Sequence, residues 1–251
     1  MRQRGLGDVL HYFIPEEEQS AAREAGRPSQ RRGVASASRW CLPASPGRPL
    51  SCAVAIDLAV ATARSGCPSQ ILAPFPQHRL LPRADEIPWR LFELQDGDVG
   101  SLERALADTA PGSRCFVLLP PSEMASLLEH LEPGTLDGVL VPIDGTAQGP
   151  AQALALLRQL GRPLPELRIG AVVVGADAAQ VAAEIFEKLK RAARRQLGLQ
   201  IENLGEVRRD PASFRSLLYG VSVLDLDEES GSARSLLELC ERLGALASPS
   251  G

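Results

Sequence analysis

Apolar and polar positions alternate in blocks of different length and period along residues 34–247. Five short apolar runs have the length of buried strands and stand at residues 34–42, 70–74, 114–119, 137–143 and 168–174. Longer segments with helical spacing lie between these runs and end at glycine or proline. This regular alternation predicts an α/β domain with three layers, in which a mostly parallel sheet carries helices on both faces.

The same signals predict the remaining elements. Residues 51–65 are apolar on nearly every side, so they predict a buried helix that Gly66 terminates. Pro142 predicts that the strand at 137–143 is near its end there or lies at a sheet edge. Further helices are predicted at 101–108 (capped by Ser101), 122–131, 150–160, 176–196, 210–218 and 232–246, further strands at 89–95 and 199–207, and an extended segment at 221–226.

The N-terminal residues 1–14 have a pattern of their own. Their apolar residues recur at i, i+3, i+4, i+7 and i+8, which predicts one apolar face of a short helix; they are Leu6, Val9, Leu10, Phe13 and Ile14. Residues 15–33 are polar and rich in Gly, Pro and Ser, so they predict a flexible linker, and 248–251 a disordered tail. A short helix on a tether is not stable alone. It can pack on its own domain, or it can dock in the groove of a protein partner.

Composition excludes several classes of protein. A net charge of −4 gives no general attraction to nucleic acid or anionic lipid. The five cysteines include no C-x-x-C pair and lie mostly in apolar runs, which indicates reduced thiols in a cytoplasmic protein. No apolar run reaches the ~20 residues of a transmembrane helix, and no signal peptide is visible, so membrane association is expected to be peripheral at most.

One charge cluster and a few single residues are candidates for chemistry. The cluster is a possible site for an anionic partner and consists of Lys188, Lys190, Arg191, Arg194 and Arg195. Glu184 and Glu187 can pair with it at i, i+4, so a solvated helix surface is favoured over nucleic-acid binding. Asp144 follows a strand, where open α/β sheets bind ligands, but a turn residue is favoured. No histidine lies beside a second metal ligand, so no metal site is expected.

Five segments carry a resemblance to a known family: AVAIDLAVATARSG at 53–66, LDGVLVPIDGTAQGPAQALALLRQL at 136–160, RIGAVVVG at 168–175, IFEKLKRAARRQLGLQIENLGEVRRDP at 185–211 and VSVLDLDEESGSARSLLELCERL at 221–243. From Ser51 onward the chain resembles the MinD/ParA family of deviant-Walker P-loop ATPases, including its flagellar-number regulators. The resemblance covers about four-fifths of the chain and rests on pattern. It implies a P-loop NTPase-like fold, with a site for ATP and Mg²⁺ formed around the loop at 43–52.

At the family's functional positions, this chain has residues that differ from those the family uses to bind ATP and Mg²⁺. By the resemblance, Pro46 stands at the signature lysine, Ser51 at the phosphate lysine and Cys52 at the Mg²⁺-binding Ser/Thr. Ala73 and Pro74 end the strand that should carry the activating aspartate; the Walker B strand ends in Leu119, and Gly175 stands at the adenine-binding asparagine. The nucleotide contacts that remain are vestigial: Gly47, Arg48, Ser51 and Cys52. No cofactor and no ATPase activity are therefore expected.

These observations lead to one hypothesis and two alternatives. The first is a pseudo-ATPase, an adaptor or regulator in the spatial organisation of a bacterial cell machine. It would bind a protein partner through residues 1–14, and a homodimer is possible. The second is an ATP-binding switch, in principle an ATP hydrolase, that holds the phosphates with Arg48 and Ser51. The third is a non-specific DNA-tethering module that uses the basic cluster.

Overall fold

The structure, a computed structural model, describes residues 37–44, 50–74, 89–92, 99–161, 167–219 and 221–247. The predicted helix at 1–14, the linker at 15–33 and the tail at 248–251 lie outside these residues and stay predictions. The same is true of the loop residues Gly47 and Arg48, and of the candidate partner-binding residues Leu6, Val9, Leu10, Phe13 and Ile14.

Seven parallel strands form one sheet in the described part of the chain. They are β1 (Ser38–Pro43), β2 (Ser69–Pro74), β3 (Trp89–Phe92), β4 (Arg114–Leu119), β5 (Gly138–Asp144), β6 (Arg168–Ala176) and β7 (Glu202–Arg208). Their order across the sheet is β3-β2-β4-β1-β5-β6-β7. Cys41 of β1 is paired with Val117 of β4 on one side and with Val139 of β5 on the other. The predicted parallel sheet is confirmed.

Helices cover both faces of this sheet. They are α1 (Leu50–Arg64), α2 (Val99–Ala107), α3 (Pro121–His130), α4 (Gly149–Leu160), α5 (Ala179–Leu197), α6 (Pro211–Tyr219), α7 (Val223–Leu226) and α8 (Gly231–Ala247). Helices α2 to α5 pack with Cys41 and Val117 on one face, whereas α1, α7 and α8 pack with Trp40 and Phe116 on the other. Successive strand residues therefore enter opposite cores, and the three-layer prediction is confirmed.

The end of α1 follows its local sequence. Gly66 has a φ of 79°, a conformation that residues with a Cβ rarely adopt. Its N–H donates to the Ala63 carbonyl at 2.9 Å, and the Cys67 N–H donates to the Thr62 carbonyl at 3.2 Å. These two bonds form a Schellman motif, which satisfies carbonyls that a helix end leaves free. The predicted helix end at Gly66 is confirmed.

The structure decides between two alternatives for one local prediction and corrects two others. Pro142 is not at a sheet edge, because β5 lies between β1 and β6; it stands two residues before β5 ends, as the other alternative required. Ser101 is not a cap, since α2 already begins at Val99. The predicted helix at 176–196 begins later, at Ala179, because β6 continues to Ala176.

The segment predicted to be extended, 221–226, contains the short helix α7 instead. The Ser222 hydroxyl oxygen accepts a hydrogen bond from the Leu224 N–H at 3.2 Å and caps this helix. The Val223 N–H donates to the carboxylate of Asp57 in α1 at 2.9 Å. This second bond comes from a distant part of the chain, so the apolar alternation of the segment could not indicate it.

The close packing around the sheet can be tested at one glycine of β5 and one glycine of β6. A Cβ at Gly138 would lie 2.4 Å from the Arg168 carbonyl oxygen and 2.9 Å from the Trp40 ring. A Cβ at Gly170 would meet Leu204, whose side chain can move. We expect Gly138→Ala to lower the free energy of unfolding by about 2 kcal/mol and Gly170→Ala by less, as measured by urea denaturation. Equal losses would contradict the steric argument.

Candidate functional site

The candidate site lies where the carboxyl ends of the parallel strands meet, the edge at which open α/β sheets bind ligands. Here the Ala44 N–H donates to the Leu119 carbonyl at 2.8 Å, which holds the end of β1 against the end of β4. The chain then passes through residues 45–49, which lie outside the described residues, and α1 begins at Leu50. The first turn of α1 and the end of β4 are therefore neighbours.

The first turn of α1 contains Ser51 and Cys52, the two described members of the nucleotide site that the resemblance predicts to be vestigial. Ser51 is 8% exposed and Cys52 is 1% exposed. Cys52 packs in the apolar cluster between α1 and the sheet, and burial raises the pKa of its thiol to about 11. The thiol is therefore neutral near pH 7. Magnesium prefers oxygen ligands, so this side chain is unsuited to the role of the family's Ser/Thr.

The neighbouring strand ends also lack the expected groups. Leu119 and Ala73 are fully buried and apolar at the ends of β4 and β2. Gly175 has a φ of 78° and offers no amide side chain at the adenine position. Asp144, at the end of β5, does carry a carboxylate, but its Oδ1 accepts the Thr146 N–H at 2.9 Å. That bond is typical of an Asx turn and fits the turn interpretation of Asp144.

The described residues at this edge do not fit Mg²⁺-ATP. The end of β4 supplies no carboxylate, and position 52 supplies a buried thiol instead of a hydroxyl. Ser51, in place of the phosphate lysine, supplies no positive charge.

Within the described residues, no group of three or more His, Cys, Asp or Glu side chains is placed to hold a metal ion. His130 is exposed on α3, and its Nδ1 lies 2.7 Å from the Ser126 carbonyl oxygen. His11 and His78 lie outside the described residues. No helix in the described ranges is long and apolar enough to cross a bilayer.

The basic cluster lies on α5 as predicted, and all five of its side chains are exposed. The Lys190 Nζ lies 3.2 Å from the Glu187 carboxylate and 5.7 Å from the centre of the Phe186 ring. This ion pair spans i, i+3; the predicted i, i+4 pairs are not recorded among the described residues. Acidic Glu184 and Glu187 lie on the same exposed surface, so the cluster is partly neutralised.

Sequence reasoning missed one buried titratable group, Asp57 in the middle of α1. Its Oδ1 accepts the Ser222 hydroxyl at 2.8 Å and the Val223 N–H at 2.9 Å. Burial raises the pKa of this carboxyl to about 7, although both bonds act to lower it. On the surface nearby, Arg64 binds Asp225 at 2.8 Å. A single acid in an otherwise apolar helix was the sequence signal that could have drawn attention to Asp57.

Comparison with solved structures identifies the fold. The chain is similar to one in the MinC:MinD cell division protein complex of Aquifex aeolicus, with a TM-score of 0.56, 10% identity, and coverage of 83% of this chain and 96% of that one. It is similar to the septum site-determining protein MinD of Pyrococcus horikoshii, complexed with Mg-ADP. The TM-score is 0.56 and the identity 9%, with coverage of 85% of this chain and 99% of that one. It is also similar to a putative plasmid partition protein of Borrelia burgdorferi bound to AMPPNP. Here the TM-score is 0.54 and the identity 11%, with coverage of 83% of this chain and 98% of that one.

No family model matches the sequence, and no curated protein matches it significantly. At identities this low, the likeness to solved structures shows the fold and leaves the activity open. The chain therefore has the α/β fold of the MinD/ParA ATPases, as the resemblance implied.

Asp57 predicts a specific dependence of stability on pH. Its pKa is about 7 in the folded chain, against 3.8 as the ordinary value. Between these values the folded state binds more protons than the unfolded state, so stability falls as pH rises. Asp57→Asn keeps an acceptor oxygen but does not titrate. We expect the free energy of unfolding of the wild type to fall relative to this variant, by a few kcal/mol at most, from pH 4 to 7.

The control for this measurement is Asp227→Asn, which removes an exposed carboxylate just after α7. This variant should keep the pH dependence of the wild type. Urea denaturation at a series of pH values provides the comparison. If the wild type and Asp57→Asn keep a constant difference across this range, the account of Asp57 is wrong.

Proposed function

We propose that this protein is a non-catalytic MinD/ParA-like pseudo-ATPase that acts as an adaptor or regulator in the spatial organisation of a bacterial cell machine. The observation that carries the proposal is Cys52, a neutral thiol buried in an apolar cluster where the family has its Mg²⁺-binding hydroxyl. Apolar Leu119 at the end of β4 supports it. A chain that keeps the scaffold but lacks these ligands can still present surfaces to other proteins.

The second part of the proposal is that residues 1–14 bind a protein partner. Their apolar face would be covered in the complex, and the linker at 15–33 would let it reach a surface of that partner. One structure of similar fold is a complex of two different cell division proteins, MinC and MinD. This supports protein contacts as a use of the fold, and a homodimer is also compatible with it.

A cytoplasmic location belongs to the same proposal. All five cysteines are free thiols, and four of them are buried: Cys41, Cys52, Cys115 and Cys240. Buried free thiols are typical of proteins from reducing compartments.

The first alternative is an ATP-binding switch in which Arg48 and Ser51 contact the phosphates. Structures of similar fold contain Mg-ADP or AMPPNP, which favours this alternative. The burial of Ser51 disfavours it, because a side chain that is 8% exposed has little surface to offer a phosphate. A wide guanidinium is also a poor substitute for lysine inside a tight phosphate loop.

The second alternative is DNA tethering through the basic cluster of α5. The exposure of Lys188, Arg191, Arg194 and Arg195 favours it. Nucleic-acid affinity depends on the number of phosphates that are neutralised. The pairing of Lys190 with Glu187 and the net charge of −4 both reduce that attraction, so nucleic acid is the less favoured partner.

Thermal unfolding with nucleotide tests the main proposal. We expect millimolar ATP or ADP with Mg²⁺ to leave the melting temperature unchanged, because the described site lacks Mg²⁺ ligands. A bound ligand at ~100 times its Kd would stabilise the fold by ~2.7 kcal/mol, an effect that such an experiment detects. ATP with EDTA is the control for non-specific effects. A Mg²⁺-dependent rise that Arg48→Ala removes would establish the switch instead.

The docking role of residues 1–14 can be tested with two matched variants. Leu10→Glu with Phe13→Glu places charge on the apolar face, whereas His11→Glu places it on the polar face. We expect the first variant to lose partner proteins in crosslinking experiments in the source cells and the second to keep them. Both should unfold at the wild-type temperature. A lower melting temperature for the double variant, with all partners kept, would show that the segment packs on its own domain.

A further inference from the structure

A cavity of about 450 Å³ opens along β7, the last strand in the described sheet. It lies between the first turns of α5 and the outer side of α8. Small residues leave the space free, namely Ala179, Ala182 and Ala183 on α5, Gly205 on β7 and Gly231 on α8. Its volume is within the range of small-molecule sites in proteins. None of its lining residues belongs to the first turn of α1 or to the end of β4.

Arg242 is an exposed residue that lines this cavity and is bonded to β7. Its Nη1 donates to the Leu204 carbonyl at 3.1 Å. A Cβ at Gly205 would lie 2.6 Å from the same Nη1, so the arginine reaches the strand only because residue 205 is glycine. The Gly205 N–H donates to the Asn203 Oδ1 at 2.9 Å. Side chains thus bond both the carbonyl and the N–H of the peptide between Leu204 and Gly205. Within the described residues, the guanidinium of Arg242 has no other hydrogen-bond partner.

The α8 wall carries an alternating row of charges. Arg234, Glu238 and Arg242 stand at i, i+4 and i+8, so they share one face of the helix at intervals of ~6 Å, and all three line the cavity. Arg234 and Glu238 have the spacing of a helical ion pair. Yet within the described part of the chain, neither the Arg234 guanidinium nor the Glu238 carboxylate makes a hydrogen bond or an ion pair.

The charges elsewhere in the cavity are already paired. Arg208 Nε lies 3.3 Å from the Glu206 carboxylate on β7. The lining charges without an ion pair among the described residues are therefore those of α8, in the order positive, negative, positive. A ligand that complements them carries an anionic group at each end and a cationic group nearby. Arginine binds carboxylates with two parallel hydrogen bonds, which favours carboxylates as the anionic groups.

We propose that this cavity is a binding site for a small amino dicarboxylate. The guanidiniums of Arg234 and Arg242 bind its two carboxylates, and the carboxylate of Glu238 accepts hydrogen bonds from its ammonium group. The wall of small residues on α5 limits the length of the ligand. This site is independent of the nucleotide position, so the proposed pseudo-ATPase function does not depend on it.

Titration of the full chain with L-glutamate and with glutarate tests the proposal, with binding measured by calorimetry or ligand-observed NMR. Glutarate lacks the ammonium group but keeps both carboxylates. We expect L-glutamate to bind ~10-fold more tightly than glutarate, because only glutamate pairs with Glu238. Glu238→Gln should remove this preference, and Arg234→Ala should weaken the binding of both ligands by ~10-fold.

Arg215→Ala is the matched control, because Arg215 is exposed on α6 outside the cavity and its Nε donates to the Pro211 carbonyl at 3.3 Å. This variant removes the same charge and should bind both ligands as the wild type does. Thermal unfolding of each variant verifies that it is folded. The proposal is overturned if L-glutamate shows no saturable binding at tens of millimolar, or if it binds equally well to wild type and Arg234→Ala.

Discussion

The sheet depends on β1, which is hydrogen-bonded along both edges and buried on both faces. Trp40 and Leu42 enter the core beneath α1 and α8, whereas Cys41 enters the opposite core, and none of the three is exposed. A parallel strand in this position must be almost entirely apolar. The centre of this strand therefore carries no polar chemistry. None of these three residues stands at a position that the resemblance assigns to the nucleotide, so this part of the core does not depend on residues that bind ATP and Mg²⁺.

Helix α1 is held by contacts that need no ligand. The Asp57 carboxylate binds the start of α7, and one turn later the Thr62 hydroxyl lies 3.4 Å from the Cys240 Sγ of α8. Arg114 of β4 donates to the Cys240 carbonyl at 2.6 Å. The helix that would follow the phosphate loop of an ATPase is thus fixed between the sheet and the C-terminal helices. A fixed α1 suits an adaptor, which has to present one surface constantly.

Strands and helices that depend on the local pattern of apolar residues could be predicted from the sequence. Residues 114–119 and 168–174 were identified as strands because parallel strands buried on both faces are continuous apolar runs. The segment at 221–226 was predicted wrongly, since the carboxylate that organises it is 165 residues away. The positions of Ser51 and Cys52 followed from the resemblance, but their burial required the structure. The cavity at β7 could not be predicted, because its walls come from three separate elements and depend on small residues that form no motif.

If a pseudo-ATPase that binds no nucleotide is regulated, some other ligand must shift its conformation. The cavity along β7 is placed to provide one, because its charged wall is the outer side of α8. Between Glu238 and Arg242 on the same helix, Cys240 contacts Thr62 of α1. A ligand bound to Arg234 and Arg242 would therefore act on a helix that is already joined to α1. A ligand can shift an equilibrium only if it binds two states with different affinity, so regulation through this cavity requires that α8 have a second arrangement in which Arg234 and Arg242 no longer face the same space.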